Sequence, residues 1–287
     1  MIIERNKNLK DLNSMKIDSK TDYYVKINNI KELCDVLKFA REKKLKHFIL
    51  GNGSNTLFAR TFYKNRIIID MKGMNHILTD KKENIIECDA GVKNKDFINF
   101  CIRNEIRGFE FLSGIPGTLG GMVKMNAGAF GEEIGNFVKK ITVLNTDTMN
   151  INELCKNNLN FEYRKINRIE NSVILKIFLE YSKGKKEKIK KLLNKFLKLR
   201  RKKQPKGFSL GSVFKNSDSF YAGELIDKAG LKGLSSGDAF ISRKHANFIL
   251  NGNAAKGVDV VKLIQKTEQH VFKNFSVLLQ REIEVLF

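Results

Sequence analysis

The chain has 287 residues, 42% of them hydrophobic and 29% charged, and a formal net charge of +22. Length and balance fit a globular chain of one to three domains with a substantial core. No apolar run approaches the ~20 residues of a membrane-crossing helix; the N-terminus, MIIERNKNLK, carries charge where a secretory signal needs its apolar segment, so cytoplasmic residence is expected.

In chain order, TDYYVKI reads as a strand after a polar start. Asn29 caps a helix predicted over Ile30–Lys44, with Glu32 completing a capping box. Ile30, Leu33, Cys34, Leu37 and Ala40 recur at helical spacing on one face. HFIL is a short strand that runs into GNGSNTLF, and RIIIDM and NIIECDA are further strands. A helix is expected over Asn94–Ile106, with Gly108 placed to stop it. After a glycine-rich stretch, Glu110–Glu133, come the strands KKITVLN and SVILKIFLEYS, separated by the polar and irregular NELCKNNLNFEYRKINRIEN. A helix over about Lys185–Arg201 has one apolar and one lysine-rich side. RRKKQPKG, around Pro205, is the candidate linker. Beyond it follow SLGSVFKN, a helix near Ala222–Ala229, a strand near Asn247–Asn251, a helix over about Val258–Asn274 and a closing strand, LLQREIEVLF. The mixture is α+β.

Cys34, Cys88, Cys101 and Cys155 lie far apart, form no C-x-x-C pair and have no histidine at zinc-like spacing, so no metal is expected. Cys34 and Cys101 fall on apolar stripes and read as buried free thiols.

The stretch EFLSGIPGTLGGMVKMNAGAFGEE has glycine at Gly114, Gly117, Gly120, Gly121, Gly128 and Gly131, with Pro116 in its middle. Glycine lets backbone approach a bound group, and Pro116 stiffens the loop and extends Ile115. A stiff loop with bare N–H groups suits something flat or anionic. Gly51-Asn52-Gly53-Ser54-Asn55-Thr56 offers a second such loop. It is no dinucleotide fingerprint: the third glycine is missing and no helix pattern follows. Alone it reads equally as a tight hairpin turn; together the two loops suggest a pyrophosphate held between them.

Four further places could carry chemistry, each with a structural alternative. Arg164, in FEYRKI, reads as a surface arginine. Ser212, Lys215 and Asn216 sit on a glycine turn, with no nucleophile elbow around the serine. His245, in RKHANFILN, is a ligand, an acid or a satisfied polar residue. In QREIEVLF, alternation sets Ile283, Val285 and Phe287 on one face and Gln280, Glu282 and Glu284 on the other. The carboxylates could form an acid–base site or lie in solvent.

GIPGTLGGMVKMNAGAFGEEI resembles the flavin-binding signature of the UDP-N-acetylenolpyruvoylglucosamine reductase family, flavoenzymes that make UDP-N-acetylmuramate for bacterial cell walls. The likeness runs from about Tyr23 to the end, with ILGNGSN, FEYRKI, GSVFKN, KHANFI and LQREI in the family's order. It implies a vanillyl-alcohol-oxidase-type (PCMH-type) FAD-binding fold over residues 1–200, in two α+β lobes split near 72. A smaller α+β substrate-binding domain over 201–287 follows. It implies FAD contacts from Gly51, Asn52, Gly53, Ser54 and Asn55, and from Gly114, Ile115, Pro116, Gly117, Thr118, Asn126, Ala127 and Gly128. It also implies Arg164 and Glu282 as supports of the enolic intermediate and Ser212 as proton donor, with Tyr163, Lys215, Asn216 and His245 beside the substrate. NADPH would be the co-substrate, and an enolpyruvyl ether of UDP-N-acetylglucosamine the substrate. Two departures stand out: Ile166 where the family has serine, and Asp18-Ser19 where it usually has a glycine pair. The short length resembles the family's compact type.

Two alternatives remain at this level. One is a flavin oxidoreductase for another sugar or alcohol. The other is a nucleic-acid binder using the lysine-rich helix, to which the charge of +22 also points. The lysines are spread along the chain with no basic-aromatic repeat, so compositional bias is preferred and nucleic acid is not the expected partner. Oligomeric state is not legible; a monomer is the working expectation.

Overall fold

The computed structural model describes residues 1–287. Contacts divide the chain into two units, one of Met1–Glu4, Tyr23–Asn52 and Asn65–Arg200, the other of Arg5–Asp22, Gly53–Lys64 and Arg201–Phe287. The second unit thus takes two N-terminal segments as well as the C-terminal third of the chain.

In the first unit, the apolar stripe at i, i+3, i+4 becomes helix α1, Ile30–Glu42, which buries Leu33, Val36, Leu37 and Ala40. The Asn29 side chain accepts from the Glu32 amide at 2.9 Å. The reciprocal bond goes one residue further out than a capping box requires: Glu32 accepts from the Asn28 amide at 2.7 Å. Lys46–Leu50 pairs in parallel with Phe62–Asp70, Ile49 opposite Ile69. Val25, Ile27, Ile67 and Ile69 join α1 in one core cluster.

A five-stranded antiparallel sheet, in the order Ile151–Cys155, Val138–Asn145, Ser172–Glu180, Ile85–Asp89, Ile77–Asp80, carries the second cluster of this unit. Helices α2, Asn94–Arg103, and α3, Leu119–Lys124, supply Phe97, Cys101, Leu119 and Val123 to it. The strand Ser172–Glu180 feeds both clusters, with Val173 and Leu175 in one and Ile177 and Leu179 in the other.

Several sequence expectations are corrected here. The segment between the strands Val138–Asn145 and Ser172–Glu180 is not irregular. It holds the edge strand Ile151–Cys155 and a hairpin, Asn160–Glu162 with Lys165–Asn167. The edge strand is exposed along almost its whole length, so no alternation marks it. Helix α2 stops at Arg103, not Ile106, because Glu105 takes φ 57° before Gly108 is reached. Helix α4, Lys186–Lys203, absorbs the first half of the supposed linker, since Lys and Arg are good helix formers and nothing breaks the run before Pro205. Cys34 is half-buried, not buried, whereas Cys88 and Cys101 are buried and Cys155 is exposed; all four are free thiols.

The second unit has a three-stranded antiparallel sheet, Ser235–Ser236, Ala239–Ile241 and Ile249–Asn251, with helices α5, Ala222–Lys228, and α6, Gly257–Phe275. Thr56–Phe58 pairs in parallel with Glu284–Leu286. The Asn251 side chain donates to Met15 O at 2.8 Å and accepts from the Ala255 amide, tying the N-terminal segment to the sheet. The closing strand is shorter than expected and its alternation fails, with Leu286 buried and Phe287 53% exposed. The chain changes neighbours there: Glu282 donates to Val213 O, but Glu284 donates to Asn55 O.

Candidate active site

In the first unit, the glycine-rich stretch is not one open loop. A 3-10 turn, Glu110–Leu112, leads to Gly114 at φ 75°, and α3 starts at Leu119. Many of its amides are used inside the protein. Leu119 donates to Val92 O and Gly120 to Ala90 O, each closing the stretch onto the turn that follows the strand Ile85–Asp89. The amides of Gly117, Thr118 and Gly121 meet no protein acceptor. Thr118, at the N-cap position of α3, is buried, yet its hydroxyl makes no capping bond.

Gly51 lies against this turn. A Cβ on Gly51 would stand 2.5 Å from Thr118 Oγ1, so the first glycine segment touches the second only because residue 51 has no side chain. Gly51 and Thr118 therefore belong to one cradle, lined by backbone donors.

Asn126 is fully buried at φ 39°, and both ends of its amide are engaged. It donates to Glu162 O at 3.0 Å and accepts from the Gly135 amide at 3.0 Å. Asn126 thus holds the hairpin Asn160–Asn167 against the glycine stretch. Tyr163 and Arg164 form the turn of that hairpin, Arg164 at φ 57°. Arg164 Nη2 donates to Gly128 O at 3.0 Å, and its Cζ sits 4.6 Å from the centre of the Tyr163 ring. The guanidinium is fixed by the glycine stretch at one end and by its neighbour's ring at the other. Ile166 is buried in the core cluster of this unit, which accounts for an apolar residue there.

In the second unit, Gly53 turns at φ 59° with its α-carbon against Leu12 O, where a Cβ would be 2.1 Å away. Asn55 donates through Nδ2 to Glu282 O at 3.0 Å. The Glu282 amide donates to Val213 O at 2.8 Å, and the Lys215 amide to Gln280 O at 2.8 Å. Ser212 and Glu282 are therefore brought onto adjacent backbones, with Asn55 on the far side of Glu282. Asn216 accepts the Ala222 amide at the start of α5. Ser19 Oγ donates to Arg60 O, so the Asp18-Ser19 departure forms part of the frame here.

His245 is half-buried, with its ring edge-on to Phe248 at 4.9 Å. Its Nδ1 accepts from the Asn247 amide at 3.3 Å. Burial, and then the nearby Lys232 and Lys203, hold the imidazole below its ordinary pKa.

Two residues near these positions were not singled out from the sequence. Asn247 is buried and clamps Phe214 from both sides: Phe214 N donates to its Oδ1 at 2.9 Å, and its Nδ2 donates to Phe214 O at 2.8 Å. An amide between Ala246 and the apolar run Phe248–Leu250 was the available signal. Arg200, near the end of α4, donates through Nε to Ser113 O at 3.1 Å. Nothing distinguishes it in sequence from the other cations of that helix. A cavity of about 650 Å³ in the first unit, lined by Asn29, His76, Asp89 and Lys176 among others, contains none of the expected site residues.

Residues 21–149 match a family model described as FAD binding domain, and residues 204–286 match UDP-N-acetylenolpyruvoylglucosamine reductase, C-terminal domain. A UDP-N-acetylenolpyruvoylglucosamine reductase of Aquifex aeolicus is 32% identical over 289 residues, covering 100% of this chain and 96% of the relative. One from Caldicellulosiruptor saccharolyticus is 38% identical, covering 98% and 91%. The crystal structure of UDP-N-acetylenolpyruvylglucosamine reductase from Thermus caldophilus superposes with a TM-score of 0.83 at 30% identity, over 100% of both chains. The fold class expected from the sequence is borne out.

Proposed function

The chain belongs to the UDP-N-acetylenolpyruvoylglucosamine reductase family, and from that membership we propose that it is an FAD-dependent oxidoreductase of peptidoglycan precursor synthesis. Its substrate is UDP-N-acetylglucosamine enolpyruvate, its product UDP-N-acetylmuramate, and NADPH is the co-substrate. The residues present fit the cofactor: a glycine cradle at Gly51 and Thr118, with the Gly117, Thr118 and Gly121 amides open to an anion, suits a pyrophosphate. Gly51, Asn52, Gly114, Ile115, Pro116, Gly117, Thr118, Ala127 and Gly128, all of the first unit, would hold it. Asn126 would act by fixing the frame.

Bound there, FAD would supply hydride chemistry, with electrons from NADPH, at the vinyl carbon distal to the substrate carboxylate. Negative charge then spreads toward that carboxylate. Arg164 meets it with a permanently charged planar fork, and Glu282, in its protonated form, with a hydrogen bond. Ser212 donates the proton that completes the D-lactyl ether. A serine hydroxyl is a weak acid, so it acts only because the carbanionic carbon opposite it is a strong base and the cation of Lys215 lies on the same turn. Tyr163, Asn216 and His245 are assigned to the substrate side.

The observation that carries this function is the bond from the Glu282 amide to Val213 O, which joins the segments of two proposed catalytic residues distant in sequence. The test is a visible spectrum of the purified protein, followed by NADPH oxidation with the enolpyruvyl sugar nucleotide. Bound yellow chromophore and turnover that Ser212→Ala slows by about 10²–10⁴-fold are expected; a colourless protein that takes up no FAD overturns the proposal. The same function places the chain in the cytoplasm, where NADPH and sugar nucleotides are formed. It links the chain, through its product, to cell shape, cell division and the cell cycle.

A further inference from the structure

Helix α4 carries most of its lysines in solvent, with Lys188, Lys190, Lys191, Lys195 and Lys198 all exposed. Arg200 is turned inward. Its Nε is fixed on Ser113 O at 3.1 Å, and its Cζ stands 5.7 Å from the centre of the Phe130 ring. Phe130 in turn stacks on Phe196 of the same helix, 4.3 Å apart and 10° from parallel. Gly114 makes room for the arm: a Cβ there would sit 3.2 Å from Arg200 Cδ and 3.0 Å from Leu197 Cδ2. The guanidinium is thus laid along the glycine stretch, held at one edge and covered on one face.

Its other edge is not satisfied. Nη2 is buried and has no hydrogen-bond partner. Burial also holds this guanidinium below its ordinary pKa. A desolvated cation with an unmade hydrogen bond is costly on its own and favourable once an anion reaches it. A planar donor with one edge fixed and one edge open is also pre-organised for an oxygen acceptor.

We propose that Arg200 is an FAD-anchoring residue, its Nη2 donating a charge-assisted hydrogen bond to an anionic oxygen of the cofactor at the Ser113–Gly114 turn. This rests on the flavin function proposed above. Two parts of the cofactor offer that chemistry: the pyrophosphate, and the pyrimidine edge of the ring, which becomes anionic on reduction. Either way, Nη2 of the half-buried Arg200 is out of contact with water before the ligand arrives, and the ligand completes its hydrogen bonding.

The test uses full-length protein stripped of flavin and titrated with FAD. Wild type, Arg200→Met and Arg200→Lys are compared by flavin fluorescence, by the thermal midpoint of the flavin-free protein and by the flavin midpoint potential. Arg200→Met is expected to weaken FAD binding by on the order of tenfold to a hundredfold, while the flavin-free protein melts no lower, because an unsatisfied buried cation has been removed. Arg200→Lys, which keeps the charge without the fork, falls between. A lower midpoint potential in Arg200→Met assigns the bond to the reduced ring; weaker binding with an unchanged potential assigns it to the pyrophosphate.

FAD affinity and potential both at wild-type values overturn the proposal. So does a loss of flavin-free stability in Arg200→Met that accounts for the whole loss of binding. Should Arg200→Met fail to fold, Arg200→Lys decides, unchanged FAD affinity again overturning it. A wild-type chain that takes no FAD overturns the underlying function as well, whereas variants that bind FAD like wild type remove only this inference.

Discussion

Gly51 and Thr118 come from glycine segments far apart in sequence, yet a Cβ on Gly51 would stand 2.5 Å from Thr118 Oγ1. The φ of Gly51 is not in the left-handed region, so alanine is unstrained in backbone and fails only by contact. The hydroxyl is the obstacle, since the Thr118 Cβ and Cγ2 would lie at 3.6 and 3.7 Å. Gly51→Ala should therefore weaken FAD binding by about 1–3 kcal/mol. Thr118→Ala introduced beside it should recover part of that loss, a coupling that a double-mutant cycle on FAD affinity measures. Additive losses would mean that the two segments do not share a cradle.

The second prediction separates the two half-reactions. Ser212→Ala should leave reduction of the flavin by NADPH at its wild-type rate and slow transfer to the enolpyruvyl sugar nucleotide by about 10²–10⁴-fold, the range for loss of a positioned proton donor. Glu282→Gln should be milder, because the amide can still donate a hydrogen bond. Stopped-flow traces of each half-reaction distinguish these outcomes. A Ser212→Ala enzyme slow in both would show that the turn shapes the protein and has no acid role.

What the sequence made legible follows from where periodicity is strong. Helix α1 was readable because four of its buried residues repeat on one face, and the central strands because they are nearly continuous apolar runs. The hairpin around Tyr163 and Arg164 was not, because strands of three residues have too few positions to alternate. Helix α3 was hidden by its own glycines, which disfavour a helix in isolation and are kept by packing: Gly120 stands where a Cβ would come 2.7 Å from Ala90 Cβ. In the site, the residues that carry motif glycines or sit beside them were visible. Asn247 and Arg200 were not, because each acts through a hydrogen bond to backbone distant in sequence, which no local pattern encodes.

Asn247 supplies the third prediction. It holds the chain just after Ser212 through two side-chain bonds to Phe214 and a backbone bond from the Val213 amide. Asn247→Ala leaves a buried donor and a buried acceptor of Phe214 unmet, each worth about 1–3 kcal/mol. The thermal midpoint should fall accordingly. Asn247→Asp with its carboxyl protonated keeps an acceptor for the Phe214 amide and an O–H donor for Phe214 O, so at low pH its midpoint should fall less than that of Asn247→Ala. Because Ser212 leads into the clamped segment, the folded fraction of Asn247→Ala should also show a lower kcat with FAD content unchanged. Equal kcat per bound flavin would limit Asn247 to a role in stability.

The last prediction concerns pH. Burial first, and then Lys232 and Lys203, disfavour a charged His245 in the folded protein, so its folded pKa lies below the unfolded value of about 6.5. Between those two values the unfolded chain binds more protons than the folded one, and stability rises with pH. The contribution is thus fully present above about pH 6.5 and is lost progressively as pH falls toward the folded pKa. His47 acts in the same direction through burial, opposed by Asp147, so the slope does not rest on His245 alone. His245→Asn removes the titrating group. Its thermal midpoint should accordingly change less than that of wild type between about pH 7.5 and about pH 5. His47→Asn should remove a further part of the slope, and the double variant more than either. A wild-type midpoint that rises as the pH falls through this window would reverse the sign and show that protonated His245 is stabilised in the folded chain.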